Sequence, residues 1–240
     1  MVVLCDGMLR SGSTWSFNVV RELIRTCEPH RKVFGFYSEN PAVILSAARP
    51  RFSNLVIKSH KLDPSAYELC SAGAIKAVYT WRDPHDVIVS SQRMFGDSVD
   101  HSIGLLRNAL RVWSFHRATS SACIISYESM IHSPLTSIHS IAAYLGLRVE
   151  PKQAAQIAEV TSLENLKSFS QHVDELEGSR VVRKDGLVYD RQTLVHQNHI
   201  QNGGVGYGAG LLDPEHVSAI DALLREEGFD FLCDPGSGRH

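Results

Sequence analysis

The sequence has few cysteines and no pair of them spaced as C-x-x-C. Five cysteines, an odd number, favour reduced thiols in a cytosolic protein over a disulfide framework or a zinc site. An excess of charge is also lacking, since 24 Lys and Arg against 26 Asp and Glu give a net charge of −2. Such a chain has no overall positive potential that would attract nucleic acid or an anionic membrane surface. Any anion site must therefore come from local placement of Arg and Lys.

Long apolar runs are absent as well. No stretch approaches the length of a membrane-spanning helix, and no basic region with a following apolar segment precedes the first predicted strand. We therefore expect no transmembrane segment, no signal peptide and a cytoplasmic location. With 43% hydrophobic residues, a chain of 240 residues can bury a substantial core, so one domain over residues 1–240 is the simplest organisation.

Short apolar runs alternate with segments of helical periodicity along the chain. Strands are predicted at 2–5, 55–58, 74–81 and 123–127. Helices are predicted directly after residue 15 and at 42–48, 64–71, 84–94, 102–118, 135–145, 151–160, 162–171 and 214–227. This alternation predicts an α/β fold of three layers, with a central, mostly parallel sheet and helices on both faces.

Two regions carry no strong prediction of regular structure. Residues 28–53 are mixed apart from the helix at 42–48. Residues 172–200 are charged and polar without periodicity, and five glycines follow at 201–210. A long irregular segment of this kind is often a binding loop, so we expect a flexible lid at about 173–208. A disordered surface insertion at 173–195 is the alternative.

A loop containing glycine joins the first predicted strand to the first predicted helix. Residues 7–15 read G-M-L-R-S-G-S-T-W. Strand, loop and helix start together form a phosphate cradle, because backbone N–H groups and the helix N-terminus attract anions. The spacing G-x-x-x-x-G is that of the nucleoside-triphosphate P-loop, but Ser13 stands where that motif has lysine, and the positive charge lies on Arg10. On this stretch alone, a tight turn is an equally good interpretation.

Polar side chains follow the other predicted strands. Lys58 and His60 come after the second strand, Arg82 ends the third and Tyr127 ends the fourth. Ligands of an open parallel sheet bind beyond the carboxyl ends of its strands, so these residues and Arg10 would lie at one edge. If the second strand continues to residue 60, its two-residue period puts Lys58 and His60 on the same side.

Each of these residues also has an ordinary structural explanation. A single histidine such as His60 is by default a surface residue. Arg82 can pair with Asp86, one helical turn later, and Tyr127 can belong to the core with its hydroxyl satisfied. Only their combination at one sheet edge favours a binding site.

Five segments together resemble sulfotransferases that use 3′-phosphoadenosine 5′-phosphosulfate as the sulfuryl donor. In chain order they are R-S-G-S-T-W at 10–15, V-I-K-S-H at 56–60, Y-T-W-R-D-P-H-D-V-I-V-S at 79–90, Y-E-S-M at 127–130 and T-S-L-E-N-L at 161–166. The first is similar to that family's K/R-x-G-T-T-W loop and the third to its Y-x-x-R-[DN]-P-x-D-V-x-x-S signature. Order and rough spacing agree over about residues 2–230, and the resemblance implies the P-loop NTPase-like sulfotransferase fold.

The resemblance also implies a role for each matching position. The catalytic residues would be His60 as general base, with Lys58 and Arg10 near the departing phosphate. The implied donor-binding residues are Arg10, Ser11, Gly12, Ser13, Thr14, Trp15, Arg82, Ser90, Tyr127, Thr161, Asn202 and Gly203. Within that set, the 11–15 loop would hold the 5′-phosphosulfate, and Arg82 with Ser90 the 3′-phosphate. No metal is expected, and His196 and His199 are interpreted as loop histidines.

Two segments depart from the family pattern. The late R-K-G-x-x-G-D-W segment of the family is here Q-N-G-G-V-G-Y-G at 201–208, without the Arg-Lys pair and the tryptophan. Arg183 with Lys184, or Arg191, are alternatives for the missing charge. After His60 the chain reads K-L-D-P, without the family's leucine-proline, so the familiar members do not indicate the acceptor.

We therefore predict a sulfotransferase that moves a sulfuryl group from 3′-phosphoadenosine 5′-phosphosulfate to a hydroxyl of a small or medium acceptor. A small molecule, a glycan or a lipid would serve, with no nucleic-acid partner, and the oligomeric state is left open. The alternatives are a nucleotide or small-molecule kinase and a non-catalytic nucleotide-binding module. The missing loop lysine speaks against a kinase. His60 beside Lys58 favours catalysis over mere binding.

Overall fold

A five-stranded parallel sheet forms the centre of the fold. The computed structural model describes residues 1–47, 53–61, 64–184, 186–198, 200 and 204–233. The strands of the sheet are β1 Val2–Gly7, β2 Lys32–Tyr37, β3 Ser53–Lys58, β4 Lys76–Trp81 and β5 Ala122–Ser126. They lie in the order β2-β3-β1-β4-β5, and all neighbours are parallel. The direction of strand addition reverses at β1, and a sheet of this topology binds ligands beyond the carboxyl end of that strand.

Helices cover both faces of the sheet. Those in the described parts of the chain are α1 Ser13–Cys27, α2 Pro41–Ala47, α3 Pro64–Ser71, α4 Pro84–Phe95, α5 Val99–Thr119, α6 Tyr127–His132, α7 Pro134–Leu145, α8 Pro151–Val160, α9 Leu163–Gln171 and α10 Pro214–Glu226. None of them combines the length and apolarity that crossing a bilayer requires. The three-layer α/β architecture predicted from the alternating pattern is confirmed.

The alternation of side chains along β1 explains the two buried faces. Val3 and Cys5 are fully buried on one side, in a cluster with apolar residues of α1, α7 and α8. Leu4 is fully buried on the other side, against residues of β3, β4 and α3. Because successive side chains of a strand point to opposite faces, a continuous apolar run is what a sheet covered on both sides needs.

Local sequence signals set several helix starts. The Asp83 side chain accepts hydrogen bonds from the backbone N–H groups of His85 and Asp86, and Pro84 occupies the first turn of α4. An N-cap aspartate followed by proline is a common start of a helix. Pro64 is likewise the first residue of α3, in agreement with the helix predicted at 64–71.

One strand of the sheet was not predicted. β2 falls within residues 28–53, where the sequence pattern indicates no strand. It is one of the two edge strands, pairs with β3, and all of its residues are exposed or half-buried. An edge strand has no need of a continuous apolar run, so its sequence carries little periodic signal.

The segment before the glycine-rich loop also contains regular structure that was not predicted. β6 Val181–Lys184 and β7 Leu187–Asp190 form an antiparallel hairpin, preceded by the short 3₁₀ turns Val173–Glu175 and Gly178–Arg180. The expectation of no regular structure there was wrong. The lid role expected for 173–208 stays a prediction.

One predicted strand end needs correction, and one conditional extension does not occur. β3 ends at Lys58, as predicted, and His60 lies in a bend beyond it, so strand alternation does not set the direction of its side chain. β5 ends at Ser126, and Tyr127 is the first residue of α6. The Ser126 side chain accepts a hydrogen bond from the Ser129 N–H, which starts the helix one residue earlier than the apolar run suggests.

Candidate active site

The loop after β1 leaves the N-terminus of α1 open. Gly12 precedes α1 with φ of 91°, and in the described structure no side chain caps this helix. A Cβ at Gly12 would lie 2.4 Å from Met130 Cε, so both the backbone angle and the space favour glycine. The first N–H groups of a helix have no partner within it, so this end can receive an anion.

Ser11 anchors the loop to the sheet. It is fully buried, and its hydroxyl lies 2.6 Å from the Met8 carbonyl oxygen. The same hydroxyl lies 2.9 Å from the carbonyl oxygen and from Oγ1 of Thr80, on β4. The side chain therefore stabilises the loop and does not face the cavity described below.

Two side chains from the end of β3 meet this loop. Lys58 Nζ donates to Thr14 Oγ1 at 2.7 Å. His60 Nδ1 lies 3.1 Å from the Gly7 carbonyl oxygen, and its Nε2 lies 3.5 Å from Ser13 Oγ. A carbonyl oxygen can only accept, so the contact with Gly7 assigns the imidazole proton to Nδ1. The lone pair of His60 is then on Nε2, which faces the start of α1.

The environment keeps His60 neutral near neutral pH. Burial, together with the positive charge of Lys58, lowers the pKa of His60 to about 3. Burial, together with the positive charge of Arg10, lowers the pKa of Lys58 to about 8. An anion bound beside them would raise both pKa values, because a negative charge favours the protonated forms. The pair therefore combines a neutral acceptor of protons with a cation.

Arg82 connects the loop to the later part of the chain. It is buried, and it donates from Nη1 to the Arg10 carbonyl oxygen at 3.3 Å and from Nη2 to that of Gly204 at 2.6 Å. Its Nη2 lies 3.5 Å from Asp86 Oδ2, so the ion pair considered in the sequence is one of several contacts. Its guanidinium carbon lies 4.3 Å from the centre of the Tyr127 ring.

The Arg10 side chain connects the loop at residues 7–15 to α4. Its Nε donates to the hydroxyl of the buried Ser90 at 3.0 Å. Burial and the positive charge of Arg82 lower the pKa of Arg10 to about 10. The family resemblance implies a position for Arg10 near the departing phosphate. In the structure its side chain lies against Ser90, the residue expected to hold the 3′-phosphate.

The late glycine-rich loop is docked on the first turn of α4. The Asp86 carboxylate accepts three backbone hydrogen bonds, from Gly206 at 2.8 Å, Tyr207 at 3.0 Å and Gly208 at 2.7 Å. A Cβ at Gly208 would lie 2.2 Å from the carbonyl carbon of His85, so the loop backbone packs directly on the helix. These contacts fix the Tyr207 side chain beside Arg82.

A cavity of about 1000 Å³ contains these groups. The predicted site residues that line it are Arg10, Gly12, Ser13, Thr14, Trp15, Lys58, His60, Arg82, Ser90, Tyr127 and Thr161. Asn202 and Gly203 lie outside the described residues, and so does His199. Among the described residues that line the cavity, one is acidic, Glu39, and five are basic: Arg10, Lys58, Arg82, Arg93 and Lys184. This local excess of positive charge suits an anionic ligand, although the chain as a whole has none.

Part of the cavity lining is aromatic and apolar. Trp15 and Tyr127 line it together with Met130 and Leu163. Thr161 also lines it, with its hydroxyl donated to the Ile157 carbonyl oxygen at 2.6 Å. Flat aromatic surfaces suit stacking with the planar base of a nucleotide.

His196, interpreted from the sequence as a loop histidine, lies outside the helices and strands and lines the cavity. Its ring stacks on Tyr189 of β7, with centroids 5.1 Å apart and planes at 27°. Burial, with the positive charges of Lys58 and Arg10, lowers the pKa of His196 to about 4. The sequence gives no signal for this, because residue 196 belongs to a segment without periodicity.

Long-range contacts hold the segment that carries His196. The Thr193 carbonyl oxygen accepts from Asn18 Nδ2 at 2.9 Å, and the Gln192 carbonyl oxygen accepts from Arg21 Nη1. Both donors belong to α1. The helix that begins at the phosphate loop therefore also positions this part of the cavity wall.

Charge from the late part of the chain reaches the cavity through Lys184. Lys184 lines it, whereas Arg183 and Arg191, the other predicted substitutes for the Arg-Lys pair, do not. Two further lining residues were not predicted, Arg93 on α4 and Tyr207 in the glycine-rich loop. In the described parts of the chain, no three His, Cys, Asp or Glu side chains are grouped as metal ligands.

A comparison with family models agrees with this combination of fold and site. The model of the sulfotransferase domain matches residues 3–202. The chain belongs to the sulfotransferase domain family. The family suggested by the five sequence segments is thereby confirmed.

Two plant proteins are similar to this chain in sequence. Cytosolic sulfotransferase 17 of Arabidopsis thaliana is 25% identical over 207 residues, covering 69% of this chain and 55% of that protein. Cytosolic sulfotransferase 16 of the same plant is 24% identical over 180 residues, covering 63% of this chain and 50% of that protein. The chain thus spans about half the length of the relatives it matches.

Solved structures of the same fold match nearly the whole of this chain. Mouse sulfotransferase SULT7A1 complexed with PAP superposes with a TM-score of 0.67 at 19% identity, covering 94% of this chain and 84% of that one. Retinol dehydratase in complex with retinol and PAP gives 0.65 at 16% identity, covering 94% and 80%. Identities this low show the fold alone, and the predicted P-loop NTPase-like sulfotransferase fold is confirmed.

Proposed function

We propose that this sulfotransferase moves a sulfuryl group from 3′-phosphoadenosine 5′-phosphosulfate to a hydroxyl of a small or medium acceptor, in the cytoplasm. The observation that carries the proposal is the pairing of His60 with the start of α1. Its Nε2 faces Ser13 at 3.5 Å, and its Nδ1 is held by the Gly7 carbonyl oxygen. A proton acceptor therefore lies beside an open anion-binding helix end, in one cavity.

The residues divide the binding of the donor between two anion sites. The N-terminus of α1, Ser13, Thr14 and Lys58 would hold the 5′-phosphosulfate, since they supply N–H groups, hydroxyls and a cation. Arg82 and Ser90 would hold the 3′-phosphate. Trp15, Tyr127 and Thr161, which line the same cavity, would surround the adenine.

His60 would remove the acceptor proton as the sulfuryl group transfers. The acceptor oxygen forms a bond to sulfur while the bond between sulfur and the bridging phosphate oxygen breaks, and that oxygen keeps the electron pair. His60 Nε2 takes the hydroxyl proton, and Lys58 stabilises the negative charge that develops on the leaving phosphate. His60 is neutral in the empty site, and the negative charge of the bound donor would raise its lowered pKa, which makes the imidazole a stronger base.

A pool of acceptors tests the reaction most directly. The protein is incubated with the donor carrying labelled sulfate and with extracts of small molecules, glycans and lipids, and the labelled products are identified by mass spectrometry. We expect label to move to a hydroxyl compound in the presence of the wild-type protein and not of His60→Ala. Binding of the donor without transfer to any hydroxyl compound would indicate a binding module instead.

Thermal unfolding separates this proposal from a kinase. Adenosine 3′,5′-bisphosphate should raise the melting temperature, because it fills both anion sites and binds the native state only. ATP with Mg²⁺ should raise it far less at the same concentration. Equal stabilisation by the two nucleotides would contradict the division into two anion sites.

A further inference from the structure

The late Arg-Lys pair of the family pattern is missing here, and the structure offers a local replacement. Residues 201 and 202 are Gln and Asn in place of the two cations. Tyr207 lies a few residues further on, and its ring contacts two guanidinium groups. Its centre is 5.8 Å from the guanidinium carbon of Arg82 and 5.4 Å from that of Arg93.

The position of Tyr207 is fixed independently of Arg93. Its backbone N–H donates to Asp86 Oδ1 at 3.0 Å, between two further N–H donors to the same carboxylate. Its hydroxyl lies 3.4 Å from Arg82 Nη2. The ring packs on Gly204, where a Cβ would lie 2.8 Å from Tyr207 Cε1. The ring is therefore a defined surface on which a second guanidinium can rest.

Arg93 lies on the same helix as Ser90 and lines the same cavity. The two are three residues apart on α4, so they share a face of that helix. Ser90 is buried and Arg93 is exposed at the rim. Among the described residues, no carboxylate lies within ion-pair distance of Arg93, so that its charge is not neutralised by an acidic side chain.

We propose that Arg93, held on the ring of Tyr207, is the cation that replaces the missing pair around the 3′-phosphate of the donor. The inference rests on the proposed function and goes beyond it, since it assigns specificity for the 3′-phosphate to a residue outside the family motifs. Arg82 and Ser90 bind that phosphate from the buried side, and Arg93 binds it from the solvent side. A guanidinium suits this task because its planar fork presents two donors to a phosphate.

Two nucleotides that differ only in the 3′-phosphate test the assignment. Dissociation constants of adenosine 3′,5′-bisphosphate and adenosine 5′-monophosphate are measured by calorimetry at one low salt concentration. Replacing Arg93 by Ala should raise the dissociation constant of the bisphosphate about tenfold, as expected for the loss of one charge-assisted hydrogen-bonded pair. It should change the dissociation constant of the monophosphate by less than about twofold. Arg93→Lys should recover part of the loss, because it restores the charge and not the fork.

Arg117 provides a matched control. It is also an arginine whose guanidinium rests on aromatic rings, 5.5 Å from the centre of Phe229 and 5.2 Å from that of Phe231. It lies on α5, away from the cavity lining. Arg117→Ala should therefore leave both dissociation constants unchanged. Melting temperatures without nucleotide establish that every variant is folded.

The two proposals fail in different ways. If the wild-type protein prefers the bisphosphate and Arg93→Ala keeps that preference in full, the Arg93 assignment is wrong and the proposed function stands. If the replacement weakens the binding of both nucleotides equally, Arg93 does not recognise the 3′-phosphate and the assignment is also wrong. If the wild-type protein shows no preference for the bisphosphate, both proposals fall.

Discussion

The charge of Lys58 should make nucleotide binding depend on pH between 7 and 9. Burial, reinforced by the positive charge of Arg10, lowers the pKa of Lys58 to about 8 in the empty site. A bound phosphate stabilises the charged form and raises that pKa again. The nucleotide then binds the protonated protein more tightly. Its affinity is therefore highest well below pH 8 and falls as the pH rises through the pKa of Lys58 in the empty site.

The size of the effect follows from the two protonation states. With a pKa of about 8, roughly 90% of Lys58 is charged at pH 7 and roughly 10% at pH 9. If the bound-state pKa is about 10 or higher, the dissociation constant of adenosine 3′,5′-bisphosphate should rise about tenfold between these pH values, equivalent to ~1.4 kcal/mol. The ligand adds little to this change, because the second ionisation of a phosphate has a pKa of about 6.

A variant isolates Lys58 from other groups that titrate nearby. Burial raises the pKa of Asp6, beneath the loop, to about 7, so this carboxyl also changes charge in the window. Lys58→Arg keeps the charge at all these pH values, since the guanidinium has a much higher pKa. The variant and the wild-type protein share Asp6, so the difference between their pH profiles reports on Lys58 alone.

Calorimetric titrations with the bisphosphate at pH 7, 8 and 9 and constant ionic strength give the result. We expect the affinity of the wild-type protein to fall about tenfold from pH 7 to pH 9. The affinity of Lys58→Arg should fall only by the amount that the titration of Asp6 causes, to within about twofold. Lys58→Gln should bind at pH 7 about as weakly as the wild-type protein does at pH 9. The reasoning is refuted if Lys58→Arg shows the same alkaline loss as the wild-type protein.

Three further predictions concern catalysis and stability. His60→Ala should lower transfer to any acceptor found by about 10²–10⁴-fold and leave the bisphosphate dissociation constant within about twofold, and unchanged turnover would remove His60 as the base. Gly12→Ala should lower the free energy of unfolding in urea by about 1–3 kcal/mol, because φ is 91° there and the Cβ would meet Met130. Its control, Gly104→Ala in α5, where a Cβ meets nothing within 4 Å, should raise it by about 0.5–1 kcal/mol. Asp190→Asn should lower it by about 1–3 kcal/mol, because the buried Asp190 carboxylate accepts from Arg180 and Thr193. If Asp190→Asn changes the urea midpoint no more than Glu22→Gln does, Glu22 being in an exposed ion pair, the buried network is not stabilising.

Much of the central architecture could be predicted from local sequence. β1, β3 and β4 are short apolar runs because both faces of the sheet are covered, and Asp83 with Pro84 marks the start of α4. The edge strand β2 and the hairpin of β6 and β7 could not be predicted in the same way. Their stability comes from partners elsewhere in the chain, so their own residues show little periodicity.

The site shows the same division. Arg10, Lys58, His60 and Arg82 were identified because they directly follow strands that all end at one edge of the sheet. The sequence did not reveal that Arg10 lies against Ser90, an interaction between residues 80 positions apart. Nor did it reveal that Ser11 is turned away from the cavity, into β4.

The sequence by itself determined the fold class, the family and the residues at the strand ends, since apolar runs, helix caps and motif spacing are local properties. Only the tertiary structure decided which side chains complete the cavity. His196 reaches it because contacts from α1 hold its segment, and Arg93 meets Tyr207 because Asp86 binds the backbone of the glycine-rich loop. These residues are far apart along the chain, and packing and hydrogen bonds across that distance leave no periodic pattern in the sequence.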